Sequence, residues 1–190
     1  MRIGIDIDET VALTNDLLIE KAVVYDKDHF KGKGFKDKNK YSFTDMFYWD
    51  NLMTKEYIEY FSLHYIDIIK PRLDALKVIN KLYDEGNYIC FITYRQFKDN
   101  YNKTKKWLDK HGFKYHKLIT NSGLKGSVCN RENIDLFIDD SLRQVLSASD
   151  YGIKSLLIDT IYNRDYQEIK RISNWDQIYE EVEDMLWAKK

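Results

Sequence analysis

The chain has 190 residues, 32% charged and 44% apolar, enough for one full core and a small insert. Its net charge of −1 gives no electrostatic case for a nucleic-acid polymer or a membrane surface as partner. The first residues hold no apolar signal segment and no apolar run reaches transmembrane length, so a cytoplasmic location is expected.

Residues 2–7 read as a buried strand. Residues 14–25 read as a helix, with Thr14 or Asn15 as cap and Leu17, Leu18, Ala22 and Tyr25 on one face. Lys, Gly and Asp dominate residues 27–40, which read as a loop. An aromatic stretch follows, with Tyr41, Phe43, Phe47, Tyr48 and Trp49. Residues 54–66 look helical, with Thr54 as cap and Glu56 in the positive first turn. After Pro71, residues 72–85 form an amphipathic helix with Leu73, Leu76, Ile79 and Leu82 on one side, ended by Gly86.

From there strands and helices alternate. Strands are expected over 88–93, 115–120, 134–138 and 153–158, and helices over 101–111, 126–132, 142–151 and 174–187, the last capped by Asn174. Alternation of this kind implies a parallel sheet covered on both faces, and the first strand, apolar on both faces, belongs to it. The stretch 13–70 interrupts the pattern and shows no strand. It reads as a helical insertion, leaving a core of residues 1–12 and 71–190. Cys90 and Cys129 are too few for a disulfide framework and are expected to be reduced thiols.

The chemistry collects at strand ends. Asp6-Ile7-Asp8-Glu9-Thr10 follows the first apolar run, where open parallel sheets bind ligands. Two carboxylates this close repel unless a cation or a shared proton relieves them. A hard dication with oxygen ligands is the simplest remedy, and Mg²⁺ suits phosphate chemistry. Thr93 and Arg95 end the strand over 88–93 and are placed to bind a phosphoryl oxygen. A second acidic pair, Asp139 and Asp140, ends the strand over 134–138 at the same sheet edge. Lys125 lies in a flexible loop before a short helix.

In this order, Asp6-x-Asp8-x-Thr10, Thr93, Lys125 and Asp139-Asp140 resemble the four motifs of the haloacid dehalogenase-like (HAD) phosphohydrolase superfamily. The insertion matches the position of that superfamily's C1 cap. Ile-Thr-Tyr-Arg at 92–95, Ile-Asp-Asp-Ser at 138–141 and the later Asp159-Thr160-x-Tyr162-Asn163-Arg164 look like the 5′-nucleotidase, or 5′(3′)-deoxyribonucleotidase, branch and its bacterial relatives. Lys117 competes with Lys125 as the third-motif lysine, and the spacing to Asp139 in the relatives favours Lys125.

The resemblance implies a Rossmann-like α/β core with a small helical cap. It implies a Mg²⁺-dependent phosphomonoester hydrolase whose partner is a small phosphomonoester, a nucleotide in this branch. Asp6 would be the nucleophile and form an aspartyl phosphate. Asp8 would be general acid, then base. Asp6, the Asp8 carbonyl and Asp140 would hold Mg²⁺, with Asp139 in support, and Thr93 and Lys125 would bind phosphoryl oxygens. Sugar phosphates and other small phosphomonoesters are the alternative substrates. A phospho-accepting receiver domain also gathers Asp, Thr and Lys at one sheet edge, but it lacks a long insert after the first strand. Phe43 and Phe47 are the candidates for stacking on a base, against the plainer reading that the aromatics form the insertion's own core.

Overall fold

The computed structural model describes residues 1–40, 42–164 and 169–188. Tyr41, the first of the aromatic stretch, lies outside them. The chain opens with β1 (Arg2–Ile5) and β2 (Ala12–Leu13), then α1 (Asn15–Tyr25), which runs on into a π-helical turn at Asp26–Phe30. Next come α2 (Phe43–Met46), α3 (Asn51–His64), a 3₁₀ turn (Ile66–Ile68) and β3 (Lys70–Pro71). The remainder alternates: α4 (Leu73–Asp84), β4 (Tyr88–Ile92), α5 (Asn100–His111), β5 (Lys117–Ile119), α6 (Lys125–Arg131), β6 (Leu136–Asp139), α7 (Leu142–Ser149) and β7 (Lys154–Ile158). It closes with β8 (Arg171–Ile172) and α8 (Trp175–Trp187).

Six strands form one sheet in the order β5-β4-β1-β6-β7-β8, every pair parallel. The order reverses at β1, which lies between β4 and β6. That crevice is the switch point where such sheets bind ligands. Alternate residues supply the two faces. Ile3, Ile5, Ile89, Phe91, Leu136 and Ile138 join the larger core cluster with residues of α4, α5 and α8. Cys90, Ile92 and Phe137 face the smaller cluster with Val128 and Cys129 of α6 and Ala148 of α7. Both cysteines are buried free thiols. Gly4 lies on the smaller face, where a Cβ would come within 3.2–3.3 Å of Ile134, Phe137 and Ile92.

Several sequence expectations need correction. The insertion is framed by two short strands, since Ala12 and Leu13 pair antiparallel with Pro71 and Lys70. Two-residue strands, like β8, are too short to leave a periodic signal. The loop expected at 27–40 begins with the π-helical turn. Asp50, not Thr54, caps α3: its carboxylate accepts from the Met53 amide at 2.8 Å, while the Thr54 hydroxyl donates to the Asp50 carbonyl at 2.9 Å. Thr14 does not cap α1 with its side chain. Glu9, in the left-handed region at φ 59°, reaches forward and accepts from the Thr14 and Asn15 amides at 2.8 and 2.6 Å. Leu73 is 74% exposed, and Ala75, Val78, Ile79 and Leu82 form the buried side of α4.

The insertion has its own aromatic packing. Phe43, Phe47 and Trp49 stack on one another, and Tyr57 meets Phe43 and Trp49 edge-on. Buried Asp26 accepts from the Trp49 indole at 2.6 Å and from the Gly34 amide at 2.8 Å. The segment's end is tied to α5, where Trp107 donates its indole N–H to the Ile69 carbonyl at 2.9 Å.

Candidate active site

Side chains alternate along a strand, so Asp6 falls on the face of Gly4, and Asp139 on that of Phe137. Both therefore point towards α6, whose first residue is Lys125. The Lys125 ammonium donates to Asp6 Oδ1 and, at 2.7 Å, to Asp139 Oδ2, and it is 3% exposed. Gln144 of α7 fixes this lysine's backbone: its carbonyl accepts from the Lys125 amide at 2.9 Å, and its amide donates to the Gly123 carbonyl at 2.8 Å. Gly126 lets α6 touch α7, because a Cβ there would lie 1.9 Å from the Ser147 carbonyl oxygen. Gly126→Ala is accordingly expected to cost about 1–3 kcal/mol of stability through overpacking, read from denaturant midpoints. It should also lower activity by displacing Lys125. Wild-type stability in this variant would contradict the packing argument.

Asp140, the next residue after β6, completes a buried trio with Asp6 and Asp139, in which one oxygen of each lies within 4.8 Å of the others. Three carboxylates share one lysine here. Burial, Asp139 and Asp8 outweigh Lys125 and push Asp6 up to about 7. Burial likewise raises Asp139 to about 6 against the pull of Lys125, and burial together with Asp6 raises Asp140 to about 7. Burial alone would lower Lys125, but Asp139 and Asp6 hold it well above the usual lysine range. All-oxygen donors with negative charge to spare fit a hard dication such as Mg²⁺.

These shifts set a direction for stability. A carboxyl with a raised folded pKa holds its proton more tightly in the folded chain than in the unfolded one. Without a cation, stability is then lost as pH rises from the ordinary 3.8 towards about 7. A dication needs the deprotonated forms, so the rise in Tm on adding Mg²⁺ is expected to be larger at pH 8 than at pH 5. Equal rises at the two pH values in thermal melts would contradict this account of the cluster.

Thr93 extends β4, its amide donating to the Ile119 carbonyl at 2.9 Å, and its buried hydroxyl stands at the same crevice. Asp8 lies beyond the regular strand. Arg95 grips it with two hydrogen bonds, Nε to Oδ2 at 2.8 Å and Nη2 to Oδ1 at 2.7 Å, and Thr14 donates to Oδ1 at 2.8 Å. Burial alone would raise the Asp8 pKa, but the Arg95 charge with these hydrogen bonds brings it below the ordinary value. Arg95, expected at the phosphoryl group, lines the same cavity with its guanidinium turned towards Asp8. Its guanidinium is engaged by Asp8 and, at 3.3 Å, by the Thr104 hydroxyl.

A cavity of about 610 Å³ opens over these groups, within the usual range for small-ligand sites. Asp6, Asp8, Thr93, Lys125 and Asp140 line it from the sheet edge, and Thr54, Lys55, Ile58 and Glu59 of α3 line it from the insertion. Phe43 and Phe47 do not line it. Phe47 is 0% exposed inside the aromatic stack, and Phe43 borders a separate cleft, so neither offers a stacking surface over the carboxylates. Residues that sequence reasoning passed over include Tyr94 and Phe97, which line the cavity beyond Thr93, and the exposed side of α3. The alternative lysine, Lys117, opens β5 at the opposite end of the sheet and pairs with Glu132 at 2.7 Å.

The family model described as 5′ nucleotidase, deoxy (pyrimidine), cytosolic type C protein (NT5C) matches residues 1–190. The chain belongs to the NT5C family. It is a phosphoric monoester hydrolase of the HAD-like class. A nucleotidase from Clostridium acetobutylicum is 37% identical over 145 residues, covering 73% of this chain and 74% of that protein. Among solved structures, a haloacid dehalogenase-like hydrolase from Streptococcus pneumoniae superposes with a TM-score of 0.72 at 15% identity, over 95% of this chain and 97% of the other. A D,D-heptose bisphosphate phosphatase from B. bronchiseptica, complexed with magnesium and phosphate, gives 0.57 at 13% identity, over 97% and 98%. These two similarities concern the fold. Among the described residues, no helix of this NT5C-family chain is long and apolar enough to cross a membrane.

Proposed function

We propose that this chain hydrolyses nucleoside 5′-monophosphates with Mg²⁺ as cofactor, through an aspartyl phosphate on Asp6. The observation that carries the reading is the Asp6 carboxylate. It is buried, oriented by Lys125 and set among further acids at the floor of a ligand-sized cavity. The nucleotide substrate is supported by the family and by the C. acetobutylicum relative, which is described as a nucleotidase.

In this mechanism an Asp6 oxygen attacks phosphorus as the bond to the leaving oxygen breaks, and Asp8 gives that oxygen its proton. Water then attacks the phosphorus of the acyl phosphate, Asp8 takes the water proton, and Asp6 and phosphate are released. A covalent intermediate divides one hard step into two easier ones. Lys125 and the Thr93 hydroxyl bind the phosphoryl oxygens and meet the charge that spreads over them in a loose transition state. Arg95 holds the resting Asp8 ionised, the form that accepts a proton. An incoming phosphate dianion raises the Asp8 pKa and favours the uptake it needs before donating. Asp6, the Asp8 carbonyl and Asp140 would hold Mg²⁺, which supplies positive charge to the same phosphoryl oxygens. The insertion serves as a cap that limits water at the cavity.

The test is a phosphate-release screen over nucleoside monophosphates and sugar phosphates, with Mg²⁺ or with EDTA. The expected result is a higher kcat/KM for a nucleoside 5′-monophosphate and no release in EDTA. Sugar phosphates outperforming every nucleotide would overturn the substrate. Full activity in EDTA would overturn the metal.

A further inference from the structure

Asp139 and Asp140 are adjacent, buried and acidic, yet the fold treats them differently. Asp139 is paired with a cation: Lys125, shared with Asp6, takes one oxygen, and the Ser141 amide donates to the other at 2.8 Å. Asp140 is oriented by neutral donors. The Thr10 hydroxyl lies 3.3 Å from Oδ1, and the Tyr162 hydroxyl donates to Oδ2. A hydroxyl fixes the plane of a carboxylate without cancelling its charge, and each oxygen keeps a further lone pair.

Tyr162 reaches Asp140 because of the segment Asp159-Thr160-Ile161-Tyr162-Asn163-Arg164. It leaves the end of β7, next to β6 in the sheet. Asn163 holds it in shape and is 3% exposed. Its amide donates to the Asp140 and Ile158 carbonyls, each at 2.8 Å, and its carbonyl accepts from the Thr160 amide at 3.2 Å and from Arg171 at 2.6 Å. Arg171 and Arg164 also pair with Asp159, both within 3.1 Å. The segment thus grips Asp140 twice, by its main-chain carbonyl and by its carboxylate.

We propose that Tyr162 and Asn163 are positioning residues for Asp140, holding its carboxylate in the orientation that binds a divalent cation together with Asp6. The inference rests on the reading of Asp6 and Asp140 as a dication site. Hydrogen-bonding partners of metal ligands commonly set affinity through ligand orientation, and their loss weakens binding about 10–100-fold. The adjacent acids then divide the work, Asp140 binding the cation and Asp139 answering Lys125.

The experiment is a Mg²⁺ titration of the full chain, followed by Tm and, separately, by phosphate release. Tyr162→Phe removes only the hydroxyl. Its Tm in EDTA should stay close to wild type, while the Mg²⁺ concentration at half-maximal stabilisation rises roughly tenfold. At saturating Mg²⁺ its kcat should return to near the wild-type value. Ile161→Ala, on the same segment at a residue 83% exposed, should keep the wild-type midpoint. A wild-type midpoint in Tyr162→Phe, or an equal rise in Ile161→Ala, overturns the proposal. If Tyr162→Phe does not fold, the titration of Asn163→Ser decides on the same criteria. Absence of any Mg²⁺-dependent shift in the wild type would instead overturn the dication site itself, a failure visible without any variant.

Discussion

Asp6→Asn is expected to abolish phosphate release while the chain stays folded. The amide is nearly isosteric and its oxygen can still accept from Lys125, as Asp6 Oδ1 does. It is a poor nucleophile. In hydrolases that act through a covalent intermediate, loss of the nucleophile costs on the order of 10⁴–10⁶ in kcat. The variant also removes one of three buried negative charges that share a single lysine, so its Tm in EDTA should not fall below wild type. Purified Asp6→Asn turning over at a tenth of the wild-type rate or better would exclude Asp6 as the attacking group.

The second large effect separates two lysines. Lys125→Met keeps the apolar stem and deletes the charge between Asp6 and Asp139. Breaking a buried ion pair from one side costs about 3–5 kcal/mol, because the partner charges are left buried and uncompensated. The variant should therefore be destabilised in EDTA, regain part of its stability with Mg²⁺, and remain nearly inactive for want of a phosphoryl-binding cation. Lys117→Ala should leave activity close to wild type, since the Lys117 ammonium is exposed and its partner Glu132 lies at the far end of the sheet from the carboxylates. Reversed losses in parallel assays and melts would transfer the third-motif role to Lys117.

The strand-end chemistry was legible in the sequence because each piece is local. An apolar run stops, polar residues follow, and in a parallel sheet those ends share one edge. Asp6, Thr93 and Asp139 sit on neighbouring strands for that reason. What a side chain does after reaching the edge was not legible. Arg95 stands two residues beyond Thr93, but only the placement of β1 beside β4 brings Asp8 into its grip. Read along the chain, Phe43 and Phe47 fit either a stacking platform or the insertion's own core. Packing against Trp49 and Tyr57 turns them inward, because burying aromatic area outweighs leaving it open to an intermittent ligand. Asp50 and Thr54 are both capping residue types, and only the backbone path showed that α3 starts a turn early. The Tyr162-Asn163 pair stood out as a pattern with no role attached. Its role depends on a contact across 22 residues of chain.

The insertion begins at Thr14, one residue beyond β2, and Thr14 is bonded to Asp8. Glu9, one residue past Asp8, closes the first turn of α1 from the other side. Asp8 is thereby bonded to the start of the segment whose α3 lines the far side of the cavity. A swing of α1 away from the sheet edge would stretch the Thr14 contact and the Glu9 cap first and leave Asp8 to Arg95 alone. On the proposed role of Asp8 as acid and base, such a swing would leave it least prepared with the cavity open and fully held once the cavity shut.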